Sequence, residues 1–301
     1  MTKPRMENLA YRGTANLETI ACPLCAGTAF TTLVIEQTIP VVRCHGCGLV
    51  FANPRPDRQG LLEFYESYFP PESESLWQEQ MAQVFLKEGL RKIDALRAAN
   101  LIHVSSPPRI FDIGCGMGYF LDLMRQHGWD TMGVEPAPAA CRYARDTLGL
   151  NVVEGTIESV EVEESFDVVT LWYVLEHVPN PGEILDRAAA LLHPGGLLIV
   201  RVPNQSIPID RALAALGLQR FFLMNPPRHL FDYSPRTLAM FLERSGFEMN
   251  EIRNSIPRAS GTPLERLRRH VWYWLFRTIY VMSAGRILRG SSMTVYATKK
   301  A

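Results

Sequence analysis

The chain contains 301 residues, of which 47% are hydrophobic and 21% are charged. Lys and Arg together number 31, as do Asp and Glu, so the formal net charge at pH 7 is zero. This composition indicates a globular protein with its own core and excludes a general electrostatic affinity for nucleic acid. The first 18 residues lack the apolar core of a secretion signal, and no uncharged apolar run has the length of a membrane span, so we expect a cytoplasmic protein.

Four of the six cysteines form two pairs. Cys22 and Cys25 flank Pro-Leu, Cys44 and Cys47 flank His-Gly, and 18 residues separate the two pairs. Two such turns supply four thiolates, the shell that a tetrahedral Zn²⁺ ion requires. Because four thiolates leave no open coordination position, we predict a structural zinc ribbon over residues 15–55. A redox dithiol and simple buried thiols are the alternatives, and the histidine inside the second pair is a substitute ligand.

The pattern of the chain changes near residue 108. Residues 56–107 carry leucines and aromatic residues at helical spacing and predict a helical connector. From there on, short apolar strands alternate with helical segments, which is typical of a parallel sheet with crossover helices. We therefore predict an α/β domain over residues 108–301, doubly wound and Rossmann-like.

A glycine-rich turn opens this domain. The predicted strand 109–113 runs into Gly114, Gly116 and Gly118, and a helix follows. Glycines at such a turn let a ligand approach the backbone closely. The pattern is G-x-G-x-G, because Tyr119 stands where the dinucleotide fingerprint has its third glycine.

A second strand ends in an acidic residue, Glu135, which comes 21 residues after Gly114. Rossmann-like folds place a carboxylate at this point to bind ribose hydroxyls. The alternative for Glu135 is a solvated strand end. Together with the glycine turn, this acid predicts a nucleoside-binding site at the carboxyl edge of the sheet.

Five motifs in a fixed order resemble those of the class I S-adenosylmethionine-dependent methyltransferases. They are Asp112–Gly118, Gly133–Glu135, Phe166–Val168, Leu175–Pro179 and His193–Gly196. The resemblance covers residues 108–300 and implies a seven-stranded sheet with an antiparallel last strand. With its cysteine pairs the chain is also similar to sugar C-methyltransferases and related polysaccharide and natural-product enzymes, although 301 residues leave no room for the third domain of the sugar enzymes.

The resemblance also implies which residues bind the cofactor, S-adenosylmethionine. Asp112 and the backbone of the three glycines would hold its methionine part, and Glu135 would bind both ribose hydroxyls. The remaining contacts, beside the adenine and below the reacting methyl, would be Thr156, Ile157, Glu158, Leu171 and Trp172. Many relatives have an aspartate at the first of these positions, so the adenine contacts depart from the family pattern.

Three residues are candidates for the chemical step. A sulfonium methyl is a good electrophile, so transfer chiefly needs a nucleophile placed in line at about 3–3.5 Å with water excluded. An oxygen or carbon nucleophile also needs a base, and His177 follows the fourth strand at the ligand-binding edge. Glu176 and His229 are the other candidates. Helix capping is the alternative role for His177, and ordinary loop polarity for His229.

Residues 257–290 form a helical insertion before the last strand. The stretch from residue 253 to the end has ten basic residues and one acidic residue, and its net charge is +9, against −9 for residues 1–252. We expect the insertion to pack on protein, as a lid or in a homodimer, because its aromatic residues do not share one helical face. Contact with a membrane surface or a lipid-linked acceptor, and contact with RNA, are the alternatives.

The favoured function is methyl transfer from S-adenosylmethionine to a small molecule, with a sugar or glycoconjugate as one acceptor class and Zn²⁺ in a structural role. One alternative is an RNA methyltransferase whose ribbon contacts RNA. The acidic first 252 residues oppose it, so we expect no nucleic-acid partner. A second alternative is a scaffold that binds the cofactor without catalysis.

Overall fold

The computed structural model describes residues 17–67, 72–100, 102–162, 165–204, 228–254 and 292–300, together with Met224, Pro226 and five residues of the insertion. Its amino-terminal part consists of five short strands. These are β1 (Leu17–Glu18), β2 (Phe30–Glu36), β3 (Ile39–Cys44), β4 (Val50–Ala52) and β5 (Arg55–Pro56). Strands β2, β3 and β4 form an antiparallel sheet, and β1 pairs with β5.

Two helices follow, as the connector pattern predicts. They are α1 (Arg58–Ser67) and α2 (Glu72–Ala98). Helix α2 buries Met81, Phe85 and Ile93 in a core that also contains Phe120 and Ile199 of the following domain. The connector therefore covers one face of the large sheet.

The large sheet has seven strands, in the spatial order β12-β13-β10-β9-β6-β7-β8. Its members are β6 (Arg109–Ile113), β7 (Asp130–Glu135), β8 (Asn151–Glu154), β9 (Phe166–Trp172), β10 (Leu192–Pro203), β12 (Phe247–Asn254) and β13 (Ser292–Lys299), while β11 (Phe231–Asp232) joins the amino-terminal sheet. Strand β13 is antiparallel to both neighbours, and the strands from β10 to β8 are mutually parallel. The prediction of a doubly wound, seven-stranded Rossmann-like sheet with an antiparallel last strand is confirmed.

Among the described residues, four helices cross between these strands. They are α3 (Tyr119–Gln126), α4 (Pro138–Arg142, continued by a π turn), α5 (Pro181–Leu191) and α6 (Pro235–Arg244). Ser234 caps α6: its hydroxyl accepts a hydrogen bond from the Thr237 N–H at 3.2 Å, and the Thr237 hydroxyl accepts one from the Ser234 N–H at 3.0 Å. This reciprocal arrangement satisfies two amides that the first turn of a helix leaves without partners.

The amino-terminal sheet shares its core with the large α/β domain. Leu24 and Phe51 belong to the same buried cluster as Leu185 of α5 and Leu238 of α6. Strand β11 pairs with β4, so that Phe231 lies opposite Phe51. The predicted ribbon ends at residue 55, but the fourth strand of its sheet is β11, which lies about 175 residues later in the chain.

Most of the predicted insertion lies outside the described residues. Five of its residues are described as helical, and their side chains are exposed: Val271, Trp274, Leu275, Thr278 and Met282. None of the described helices is long and apolar enough to cross a membrane.

Candidate active site

The glycine turn has the backbone geometry that the sequence predicts. Gly114, Gly116 and Gly118 have φ angles of +70°, +56° and +82°, which side-chain-bearing residues rarely adopt. A β-carbon at Gly114 would lie 2.6 Å from Val174, and one at Gly116 would lie 2.9 Å from Gln78. A side chain at either position would therefore clash with residues already packed against the turn.

Glu135 ends β7 beside this turn. One carboxylate oxygen accepts a hydrogen bond from the Gly116 N–H at 2.8 Å, and the other accepts one from the Ala137 N–H at 2.9 Å. Burial raises the pKa of Glu135 to about 6, although these two hydrogen bonds oppose the shift. Each oxygen retains acceptor capacity, so the carboxylate can also bind two vicinal hydroxyls. The residues present fit a ribose at this point.

Asp112 lies inside β6 and is buried. Its carboxylate accepts a hydrogen bond from the Thr170 hydroxyl at 2.6 Å. Burial raises the pKa of Asp112 to about 8, and the negative charge of Glu135 adds to the shift. Burial thus favours the neutral form of Asp112, and a cationic ligand bound beside the glycine turn would favour its ionised form.

The three residues predicted to lie beside adenine follow β8, whose last residue, Glu154, lies opposite Glu135. The Thr156 hydroxyl pairs with Ser159, and Ile157 is buried. The Glu158 carboxylate lies 3.9 Å from Arg58 of α1. All three are brought to the same sheet edge as Glu135.

Leu171 and Trp172 end β9, as expected. Leu171 is buried, and Trp172 stacks on Phe85 of α2 with ring centroids 4.3 Å apart and planes at 4°. The indole Nε1 is buried and has no hydrogen-bond partner among the described residues. An N–H without an acceptor is costly in a protein interior, so this one is available to a ligand atom.

Helix α2 also reaches over the glycine turn, a contribution that sequence reasoning missed. The Gln78 side-chain oxygen accepts a hydrogen bond from the Met117 N–H at 3.5 Å, and the Ser75 hydroxyl lies 3.1 Å from the Met117 sulfur. The connector residues carry no motif, and only the helical spacing of the segment is visible in the sequence. Which polar residues of α2 face the turn is decided by how the helix packs on the sheet.

The three candidates for the chemical step lie together. The nearest ligand-type atoms of Glu176, His177 and His229 are all within 4.8 Å of one another. Burial raises the pKa of Glu176 to about 8 and lowers that of His229 to about 4. Burial also lowers the pKa of His177, and the positive charges of His229 and Arg228 add to this. Both imidazoles are therefore neutral at pH 7.

The loop 228–233 is fixed to the segment after β9 by several hydrogen bonds. The Leu230 N–H donates to the Glu176 carbonyl at 2.7 Å, and the Tyr233 hydroxyl donates to the Leu175 carbonyl at 2.9 Å. The Ala52 N–H of the amino-terminal sheet donates to the Leu230 carbonyl at 2.9 Å. The sheet that carries the cysteines thus supports the loop that carries His229.

Cys22, Cys25, Cys44 and Cys47 also meet in one place. Their sulfur atoms are all within 4.8 Å of one another, with Cys25 and Cys44 3.4 Å apart and Cys22 and Cys47 3.5 Å apart. Four thiolates around one Zn²⁺ ion, at about 2.3 Å each, would be separated by about 3.8 Å. The donor set and its spacing fit a tetrahedral metal site.

Comparisons with known proteins agree with this geometry. A family model described as a methyltransferase domain matches residues 78–252, more than half of the chain. The chain belongs to this methyltransferase family.

Among curated relatives, the methyltransferase is 36% identical over 154 residues to a ubiquinone biosynthesis O-methyltransferase of Azorhizobium caulinodans, with 48% of this chain and 60% of the relative covered. It is 32% identical over 177 residues to the protein of the same name from Xanthomonas euvesicatoria, with 54% and 74% covered. The matched regions thus cover only part of the length of these relatives.

Solved structures of S-adenosylmethionine-dependent methyltransferases are also similar. That from Mesorhizobium loti has 20% sequence identity and a TM-score of 0.48, covering 68% of this chain and 96% of its own. That from Archaeoglobus fulgidus has 19% identity and a TM-score of 0.47, covering 81% and 100%.

Proposed function

We propose that this methyltransferase transfers the methyl group of S-adenosylmethionine to a hydroxyl oxygen of a small molecule. The observation that carries this proposal is the group of Glu176, His177 and His229, whose first two residues follow β9 at the sheet edge where Glu135 and the glycine turn also lie. Such a group can activate a hydroxyl, which needs its proton removed before it attacks carbon. The names of the two relatives, both O-methyltransferases, support oxygen as the acceptor atom.

The cofactor supplies an electrophilic methyl when it is bound. Glu135 would accept the ribose hydroxyls, the backbone of Gly114, Gly116 and Gly118 would hold the methionine part, and Asp112 would balance its positive charge. The adenine would lie beside Thr156, Ile157 and Glu158, against the end of β8. Trp172 and Leu171 would pack beneath the cofactor near its sulfonium group.

Proton removal is proposed to take place at the three-residue group. The carbonyl of Arg228 can only accept, so His177 Nδ1, at 2.6 Å, carries the proton and leaves the Nε2 lone pair free to bind the acceptor hydroxyl. Glu176 and His229 lie beside that atom and would orient the hydroxyl. We propose a small-molecule acceptor bound beside the loop 228–233 and no nucleic-acid substrate.

The proposal is tested by calorimetry with S-adenosylhomocysteine, followed by assays with S-adenosylmethionine carrying a ¹³C-labelled methyl. We expect micromolar binding of S-adenosylhomocysteine and, with a panel of phenols, catechols and sugar nucleotides, a product whose methyl carbon has the chemical shift of an ether. Absence of binding at millimolar ligand would contradict the assignment of the cofactor site. A product methylated on carbon or nitrogen would contradict the acceptor atom.

We further propose that Cys22, Cys25, Cys44 and Cys47 bind one structural Zn²⁺ ion. Support comes from the four sulfur atoms within 4.8 Å of one another. Elemental analysis should find tightly bound zinc in the purified protein and none in Cys44→Ser. The matched control is Cys115→Ser, because Cys115 lies in the glycine turn and not in the ribbon. Zinc retained by Cys44→Ser would contradict this ligand set.

A further inference from the structure

The Glu176 carboxyl group is buried, and the positive charge of Arg228 compensates for this burial only in part. Its side chain is 1% exposed, and neither carboxylate oxygen has a hydrogen-bond partner among the described residues. A buried carboxylate without donors costs several kcal/mol. A ligand from outside the chain that binds both the Glu176 carboxylate and the neighbouring side chains would offset this cost.

His177 has the arrangement of a metal-binding imidazole. Its Nδ1 donates to the Arg228 carbonyl at 2.6 Å, and its Nε2 lies 3.9 Å from a Glu176 carboxylate oxygen. Histidines that bind metals usually donate their second ring N–H to a carbonyl or carboxylate, which fixes the tautomer and the ring orientation. Here the Arg228 carbonyl leaves the Nε2 lone pair directed toward the carboxylate.

His229 completes the group from a different element. Its ring centroid is 4.7 Å from that of His177, and the two planes make an angle of 77°, so one ring presents its edge to the other. The closest ligand atoms of all three residues lie within 4.8 Å of one another. Ligands about 2.1 Å from a shared ion would be about 3.4 Å apart, so small side-chain rotations suffice to bring them around one ion.

We propose that Glu176, His177 and His229 bind a divalent first-row transition metal ion. Two imidazoles and one carboxylate suit such ions and leave coordination positions open for exogenous oxygen ligands. The ribbon cysteines are a separate set, so this is a second metal site in the chain. The Arg228 side chain adds positive charge nearby, and we therefore expect weaker binding here than at the four thiolates.

This inference rests on the proposed function, because the open positions would bind the acceptor hydroxyl. When bound there, such an ion would lower the pKa of that hydroxyl, whose O–H bond would break and whose proton would pass to a solvent water. The oxygen then forms its bond to the methyl carbon as the sulfur–carbon bond breaks, and S-adenosylhomocysteine leaves. In this arrangement His177 is a ligand of the ion, and the ion takes over the activating role.

The test uses the full-length, zinc-loaded protein and Co²⁺ as the probe. Visible absorption distinguishes the sites, because Co²⁺ bound to nitrogen and oxygen gives weak d–d bands, whereas Co²⁺ bound to thiolates adds intense charge-transfer bands. We expect one Co²⁺ per chain with d–d bands alone. Glu176→Gln and His229→Ala should each weaken binding at least tenfold.

The matched control is His127→Ala, since His127 is an exposed histidine whose ring bonds only to the Leu123 carbonyl among the described residues. It should bind Co²⁺ like the parent protein. Binding of S-adenosylhomocysteine by each variant shows that the variant is folded and tests the cofactor site separately. No Co²⁺ bound outside the thiolates, or equal binding by Glu176→Gln, would overturn the second metal site while the proposed methyl transfer stands.

Discussion

A β-carbon placed on Gly114 would lie 2.6 Å from the Cγ2 atom of Val174, so the glycine turn and the segment after β9 are in contact across the cofactor site. Gly128 offers a matched comparison, because its φ angle is also positive, at +82°, but a β-carbon added there would have no atom within 4 Å. The two glycines therefore separate the cost of backbone strain from the cost of a steric clash.

We predict that Gly114→Ala greatly weakens binding of S-adenosylhomocysteine and lowers stability by more than Gly128→Ala does. The control should lose about 1–2 kcal/mol, the cost of the left-handed backbone alone, and should keep its affinity. Urea denaturation and calorimetry measure the two effects. Equal stability and equal affinity in the two variants would show that the Val174 side chain moves aside at little energetic cost.

Glu135→Gln should reduce the affinity for S-adenosylhomocysteine about tenfold or more. The amide keeps the shape of the side chain, but it loses the charge that strengthens hydrogen bonds from ribose hydroxyls. Glu154→Gln is the control, because Glu154 ends the neighbouring strand opposite Glu135 and is exposed. Calorimetry decides the matter, and similar affinities in both variants would place the ribose elsewhere.

Arg55→Ala should destabilise the protein by about 1–3 kcal/mol and slow methyl transfer. The buried Arg55 guanidinium donates to Glu18 at 3.0 Å and to the Pro179 carbonyl at 2.5 Å, and it lies 5.9 Å from the centre of the Phe231 ring. Without the Arg55 guanidinium, the Pro179 carbonyl, which lies close to Glu176 and His177 in the chain, loses this hydrogen-bond donor. Arg58→Ala, which removes an exposed arginine 3.9 Å from Glu158, should lose much less stability in the same denaturation experiment.

Asp167 should make stability depend on pH in the acid range. Burial alone would raise the pKa of its carboxyl, but hydrogen bonds from Ser105, Arg109 and His193 outweigh burial and lower it. A carboxyl whose pKa is lower in the folded state stabilises the fold above its unfolded pKa of about 3.9. This stabilisation is lost as the pH falls through the folded value.

We therefore expect Asp167→Asn to lower the free energy of unfolding at pH 7 and to flatten its decline below about pH 4. Asp130→Asn, at an exposed side chain, is the control and should follow the parent curve. Urea denaturation over a pH series measures both. A variant whose curve stays parallel to that of the parent would exclude Asp167 as a source of the acid dependence.

The central sheet could be predicted because its signals are local. Glycines with positive φ, an acid at the end of the second strand and Ser234 before Pro235 each act within a few residues. The group of Glu176, His177 and His229 was predicted only as separate candidates. Nothing local joins His229 to His177, which lies 52 positions earlier, and the hydrogen bonds that hold their two segments together connect residues far apart in the sequence.

The same reason explains why the role of α2 was missed. Gln78 reaches the glycine turn because Phe85 and Ile93 fix the helix on the sheet. Helical spacing in the sequence indicates that a helix exists, but the direction in which its polar residues point depends on packing between distant segments.

The pairing of β11 with β4 determines how the chain can be divided. A protein shortened to begin after residue 55 would leave the backbone of Phe231 and Asp232 as an unpaired sheet edge next to an apolar surface. Exposed edges of this kind recruit other chains, so such a truncation should aggregate even though the seven strands of the large sheet are intact. The amino-terminal sheet is thus an inseparable part of the folding unit, and it should be retained whenever the protein is expressed or engineered.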